Sequence, residues 1–95
     1  ALDVAVISDL GLRKDVVRVP IYQHGCAAGV VSLSLSPRFV TDTSPTLLLS
    51  LELCSLSFFA EDVQASALVG AAIFADGAAA AVVAENGGRV RIIGS

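Results

Sequence analysis

The chain has 95 residues, of which 55% are hydrophobic, with a mean hydropathy of +0.79 and a net charge of -3. That length allows one domain at most, and a chain so short has too little interior to hide so much apolar side chain, so it reads as part of something larger. Only 6 Lys and Arg are present, scattered along the chain, which argues against a nucleic-acid partner.

The opening Ala1-Leu2-Asp3, in a chain without Met, reads as cut from within a longer gene. No charged segment followed by an apolar core opens it, so no signal peptide is expected in these residues. The longest apolar stretch, Ala78 to Ala84, falls far short of the roughly 20 residues a membrane span requires. Cys26 and Cys54 are too few and too far apart for a metal knuckle or a disulfide scaffold. With a single His, no metal site is expected. The compartment is read as reducing and cytoplasmic.

In chain order, Asp3 to Leu10 reads as the end of a helix with Gly11 at its C-terminal cap. Val16 to Tyr22 carries β-branched residues between turn signals and predicts a strand, with Pro20 pointing to an edge or an irregular end. Gly25-Cys26-Ala27-Ala28-Gly29 is a small-residue turn from which a helix starts near Val30. Pro37 falls where that helix should continue, so residues 31–46 read as lacking it. Thr41 to Thr46 is a loop. Leu47 to Leu53 fits a buried strand. Glu52 within it calls for a buried partner. Ala65 to Phe74 suits a buried helix, Asp76-Gly77 a turn, and Ala78 to Val83 a second buried strand. Asn86-Gly87-Gly88 signals a hairpin leading to an edge strand over Val90 to Ile93. The alternation of elements is an α/β layered pattern.

One residue stands out chemically. A strand that runs through Gly25 and Cys26 into a helix places a thiol at a helix N-terminus, where unpaired amides favour the thiolate. Small neighbours leave room for an acyl group. The alternative is that Cys26 is a small buried hydrophobe, the ordinary lot of a free cysteine.

The segment Arg18-Val-Pro-Ile-Tyr-Gln-His-Gly-Cys26-Ala-Ala-Gly29 resembles the active-site cysteine segment of the type III polyketide synthases, the chalcone synthase-like family. Leu51-Glu-Leu-Cys-Ser-Leu-Ser-Phe58 resembles the strand and turn that follow in bacterial members. The run from Ala67 through Phe74, Asp76 and Gly77 to Ala80 resembles the family's helix and its Phe-Gly-Asp-Gly-Ala-Ala-Ala turn, and Leu10 to Arg18 fits the approach to the cysteine. The three motifs occur in order and span nearly all of residues 10–84. Ala75 departs from the pattern, standing where the family has Gly.

The resemblance implies a partial, N-terminal-half thiolase-like domain over residues 1–95, with no second domain: a mixed sheet and a buried helix following the nucleophile. Strands near 17–22, 47–53 and 78–84 should share that sheet. It implies a homodimeric acyltransferase that loads a starter acyl group from coenzyme A onto Cys26. The acyl group is then extended by decarboxylative condensation with malonyl-CoA. Coenzyme A thioesters are its substrates, and no cofactor is implied. Phe74 matches a gatekeeping aromatic at the mouth of the cavity, set against a plain core aromatic. Cys54 matches a position on the cavity wall. His24 does not match the family's catalytic His, which with the Asn belongs to the half of the family beyond this chain, so these 95 residues alone are expected to be inactive. The alternatives are a ketoacyl-carrier-protein synthase initiating fatty acid synthesis, and a non-catalytic remnant of a condensing enzyme.

Overall fold

A computed structural model describes residues 2–57 and 64–94. Its centre is a two-stranded antiparallel ladder. β1, Thr46–Glu52, pairs along its whole length with β2, Gly77–Val83, from Thr46 opposite Val83 to Glu52 opposite Gly77. Both strands lie within one residue of the expected runs, but neither is buried as expected. Directly opposed residues share a face. Leu47, Leu49 and Leu51 therefore stand beside Val82, Ala80 and Ala78, while Leu48 and Ser50 stand beside Ala81 and Ala79 on the other side. Large Leu against small Ala keeps the ladder thin enough for a helix to approach closely.

Three helices accompany the ladder. The first, α1, spans Leu2–Asp9. It closes as the sequence predicts: Gly11 has φ +62°, its amide donates to the Ser8 carbonyl at 3.1 Å, and the Leu12 amide donates to Ile7 at 2.9 Å. That is the paired-bond helix stop that needs a left-handed residue, which glycine supplies without a Cβ penalty. Arg18 ties the next segment back to α1 through the Asp3 carboxylate, with Nε donating at 2.6 Å and Nη2 also in contact.

The second helix, α2, spans Ala28–Leu35 and continues into a 3₁₀ turn over Ser36–Phe39. The expectation that Pro37 deprives residues 31–46 of a helix is thereby corrected. Pro37 sits in the first turn of that following element, where a missing amide hydrogen costs nothing. Ser36, buried between α2 and the turn, donates to the Leu33 carbonyl at 2.8 Å. The helix lies over the Ser50 side of the ladder: a Cβ built on Gly29 would stand 3.9 Å from the Ser50 hydroxyl. The third helix, α3, spans Ala65–Ile73 and leads into β2.

Five expectations are revised. The sheet is antiparallel and two-stranded, not mixed. Val16 to Tyr22 forms no strand, and Val90 to Ile93 forms none either, because neither has a ladder partner among the described residues. Pro20 further removes a donor from the first of these. α2 has no buried residue of its own, so the buried helix after Cys26 is not realised within these residues. Glu52 is exposed at the end of the ladder, not buried with a partner. Part of the Leu51–Phe58 motif, at Phe58, lies outside the described residues.

The chain makes no hydrophobic core: no apolar side chain among the described residues is buried. Its accessible surface is 7998 Å², against roughly 5,100 Å² for a compact monomer of this mass. The radius of gyration is 16.6 Å, against about 12 Å for a compact chain of this length. Many large apolar side chains are exposed. Leu49, Leu51, Ala78 and Ala80, with Leu2 and Val6 of α1, line an open groove on one side of the ladder. No helix among the described residues is long and apolar enough to cross a membrane.

The end of the ladder is closed by a side chain. The Asp76 carboxylate accepts the Ser55 amide at 2.7 Å and the Ser55 hydroxyl at 2.6 Å. The Ser55 hydroxyl, then its amide, holds the Asp76 carboxyl below the usual carboxylate range. A carboxyl that ionises more readily when folded contributes its full stability above that range and loses it as pH falls through it. Amide-exchange protection of Ser55 is therefore expected to hold from pH 7 down to the ordinary carboxylate value of about 4 and to be lost only at pH below it. Asp76→Asn is expected to lower that protection already at pH 7. Protection already lost at pH 5, or protection that survives the substitution, would show that the clip does not hold this end.

Candidate active site

The chain reaches Cys26 through an unusual piece of backbone. Gln23 has φ 64° and Gly25 has φ 52°, with His24 between them at φ -99° and ψ 0°. Two left-handed residues flanking one in the sparsely populated bridge region form a sharp turn. Gly25–Ala27 is a 3₁₀ turn running straight into α2, closed by the Ala27 amide donating to the His24 carbonyl at 3.1 Å. Cys26 therefore lies at the entrance of a helix, as the order Gly-Cys-Ala-Ala-Gly predicts, and it is exposed.

Cys54 lies at the start of the 3₁₀ turn Cys54–Ser57 that follows β1. It is half-buried and free. Partial burial, then the neighbouring Glu52 carboxylate, pushes its thiol up; Asp76 and finally Cys26 add to the same direction. The two thiols thus share one electrostatic neighbourhood, Cys26 arriving on α2 and Cys54 on the turn beyond β1. The clip between Ser55 and Asp76 fixes the residue next to Cys54, which is how Asp76, expected to fix a turn, acts across 21 positions of sequence. Ser55 carried no local signal of this, since its partner is distant in the chain.

Phe74 caps the end of α3, its amide donating to Gly70 at 2.9 Å. Its ring lies back over Gly70, where a built Cβ would stand 3.9 Å from Cδ2. Phe74 is 59% exposed among the described residues. His24 donates from Nδ1 to the Tyr22 carbonyl at 2.7 Å, since a carbonyl can only accept. No cluster of His, Cys, Asp and Glu that could hold a metal occurs among the described residues.

Two outcomes are expected from this geometry. Iodoacetamide should modify Cys26 faster than Cys54 at every pH between 7 and 9, because Cys26 is the more exposed and the Cys54 thiol ionises less readily. Peptide mass mapping over time reads the two rates, and a faster Cys54 would contradict the site. Gly25→Ala should cost about 1–2 kcal/mol, the penalty of a side chain in the left-handed region. Space is not the cause, since nothing lies within 4 Å of the added Cβ. Chemical denaturation followed by circular dichroism measures this, and a neutral Gly25→Ala would contradict the backbone description.

Residues 1–87 match the N-terminal domain of the chalcone and stilbene synthases. The chain is 41% identical over 91 residues to a 1,3,6,8-tetrahydroxynaphthalene synthase of Streptomyces peucetius subsp. caesius, covering 92% of this chain and 23% of that protein. It is 33% identical over 85 residues to a phloroglucinol synthase of Pseudomonas fluorescens, covering 87% of this chain and 24% of the relative. It is 34% identical over 88 residues to the α-pyrone synthesis polyketide synthase-like Pks18 of Mycobacterium tuberculosis, covering 90% and 22%. No solved structure gives a significant match. The chain spans about a quarter of the length of these relatives. With the match extending from the first helix through the cysteine turn and both strands, this chain belongs to the chalcone and stilbene synthase family of type III polyketide synthases.

Proposed function

We propose that this chain is the nucleophile-bearing part of a thiolase-fold condensing enzyme, and that Cys26 is the residue that carries the growing acyl chain. The observation that carries the reading is the exposed Cys26 at the entrance of α2, presented by a sharp turn inside the family match. In this reading the Cys26 thiolate attacks the carbonyl of a starter acyl-CoA. The carbon–sulfur bond to coenzyme A breaks, its thiolate leaves, and a thioester forms on Cys26. Malonyl-CoA then loses carbon dioxide. The resulting enolate carbon attacks the Cys26 thioester, forming a carbon–carbon bond and returning the thiolate.

The general acid-base His and the Asn that would stabilise the developing oxyanion come, in this reading, from the part of the family polypeptide beyond the match, so the 95 residues alone do not turn over malonyl-CoA. Cys54 forms a wall of the cavity rather than a second nucleophile, which its raised thiol supports. Phe74, at the junction of α3 and β2, stands at the cavity mouth. Coenzyme A thioesters are consumed as substrates, and the parent works as a cytoplasmic homodimer.

The test uses a chimaera in which this chain replaces the matched segment of the Streptomyces peucetius synthase. After exposure to an acyl-CoA, intact-mass and peptide mass spectrometry should find the acyl group on Cys26. Cys26→Ala should lower loading at least about a hundredfold, within the range for loss of a nucleophile, and Cys26→Ser should fail as well. Cys54→Ser should load as before and at most change the products. An acyl group on Cys54, or undiminished loading of Cys26→Ala, would overturn the assignment. So would no adduct on either cysteine in a chimaera whose circular dichroism matches that of the synthase.

A further inference from the structure

We infer that His24 is a positioning residue for Cys26. Its imidazole holds the turn that delivers the thiol, through a hydrogen bond from Nδ1 across the left-handed Gln23 to the Tyr22 carbonyl. This inference rests on the reading of Cys26 as the acyl carrier.

The local backbone needs such a brace. Gln23 sits at φ 64°, a conformation that costs a residue with a Cβ roughly 1–2 kcal/mol. Strain of that kind persists only where surrounding contacts over-determine it. Gly25, at φ 52°, bears no such penalty, so the strain is concentrated on the one side of His24 where its ring is engaged. His24 makes two hydrogen bonds in opposite directions along the chain. Its Nδ1–H reaches back to Tyr22 at 2.7 Å, and its carbonyl accepts the Ala27 amide at 3.1 Å. The first closes a loop over Gln23; the second closes the 3₁₀ turn that contains Cys26. Both anchors of the cysteine turn therefore belong to one residue, and His24 offers no side-chain bond to the helix itself. The role is mechanical: His24 acts on Cys26 through the backbone.

The geometry requires a particular tautomer. A carbonyl acceptor at Nδ1 demands the Nδ1–H form of the neutral ring, whereas a free neutral imidazole side chain favours the proton on Nε2. Nitrogen-15 spectra of the histidine-labelled chimaera described above at pH 8, with the His24 signals assigned by their loss in His24→Ala, should show His24 predominantly as the Nδ1–H tautomer. In the chimaera described above, His24→Ala should slow acyl loading of Cys26 by about fivefold, the loss of one ordinary hydrogen bond. His24→Asn should stay within about twofold of the parent, because its amide N–H can donate to the same carbonyl.

A predominant Nε2–H tautomer would overturn the inference. So would equal loading by His24→Ala and the unsubstituted chimaera, or equal losses in the Ala and Asn variants. These outcomes leave the nucleophile assignment standing, since that assignment fails by an adduct on Cys54, by loading that survives Cys26→Ala, or by no adduct on either cysteine. The tautomer is read without any activity.

Discussion

The bond on which the site depends is the one between Asp76 and Ser55. A single carboxylate takes both the amide and the hydroxyl of a residue 21 positions earlier, at the point where β1 has ended and β2 has not begun. It fixes where the chain leaves the ladder, and so the seven-residue register from Thr46 opposite Val83 to Glu52 opposite Gly77. A slip by one residue would turn every Leu of β1 to the other side. Ser50 would then no longer face Gly29, and α2 would lose its footing. Since Cys26 lies within the 3₁₀ turn that runs straight into α2 at Ala28, the place of the thiol follows from the register.

The composition takes on meaning in the same frame. Leu-rich β1 and Ala-rich β2 would make a sound middle layer of a larger stack, yet here Leu47, Leu49, Leu51 and Val82 remain partly or largely exposed. Two faces of one thin sheet meet only light cover, α2 on one side and the open groove with Leu2 and Val6 on the other. The hydrophobic free energy that a domain of this size would gain by burying such surface, about 25 cal/mol per Å², is left unrealised within the chain. That agrees with a span of about a quarter of the relatives' length.

The legible parts of the sequence were those whose cause is local or periodic. Gly11 ends α1 because a left-handed cap wants glycine. The apolar runs at Leu47 and Ala78 become strands because each has the other to pair with. Gly25-Cys26 turns into a helix because its small residues allow the turn. Val16 to Tyr22 misled for the opposite reason: β-branched content expresses itself as a strand only where a ladder supplies a partner. Pro37 misled because a rule about helix interiors was applied to a residue that opens a new turn. The brace at His24 left no trace, since it depends on Gln23 adopting a conformation that its residue type does not advertise. Asp76 was legible as a turn residue, but its reach to Ser55 was not.

The open flanks of the ladder have a consequence for how such a chain behaves in company. Among the described residues each of the two strands has one neighbour, so along its other side a row of backbone amides and carbonyls faces outward. Proteins usually guard such rims with charge, proline or a bulge. Thr46–Glu52 has one charge at its very end, and Gly77–Val83 has none, with no proline in either. The rim is therefore adhesive by default. Any extended segment of matching length can pair there through the same hydrogen bonds, and a rim without guards does not discriminate among the segments it meets.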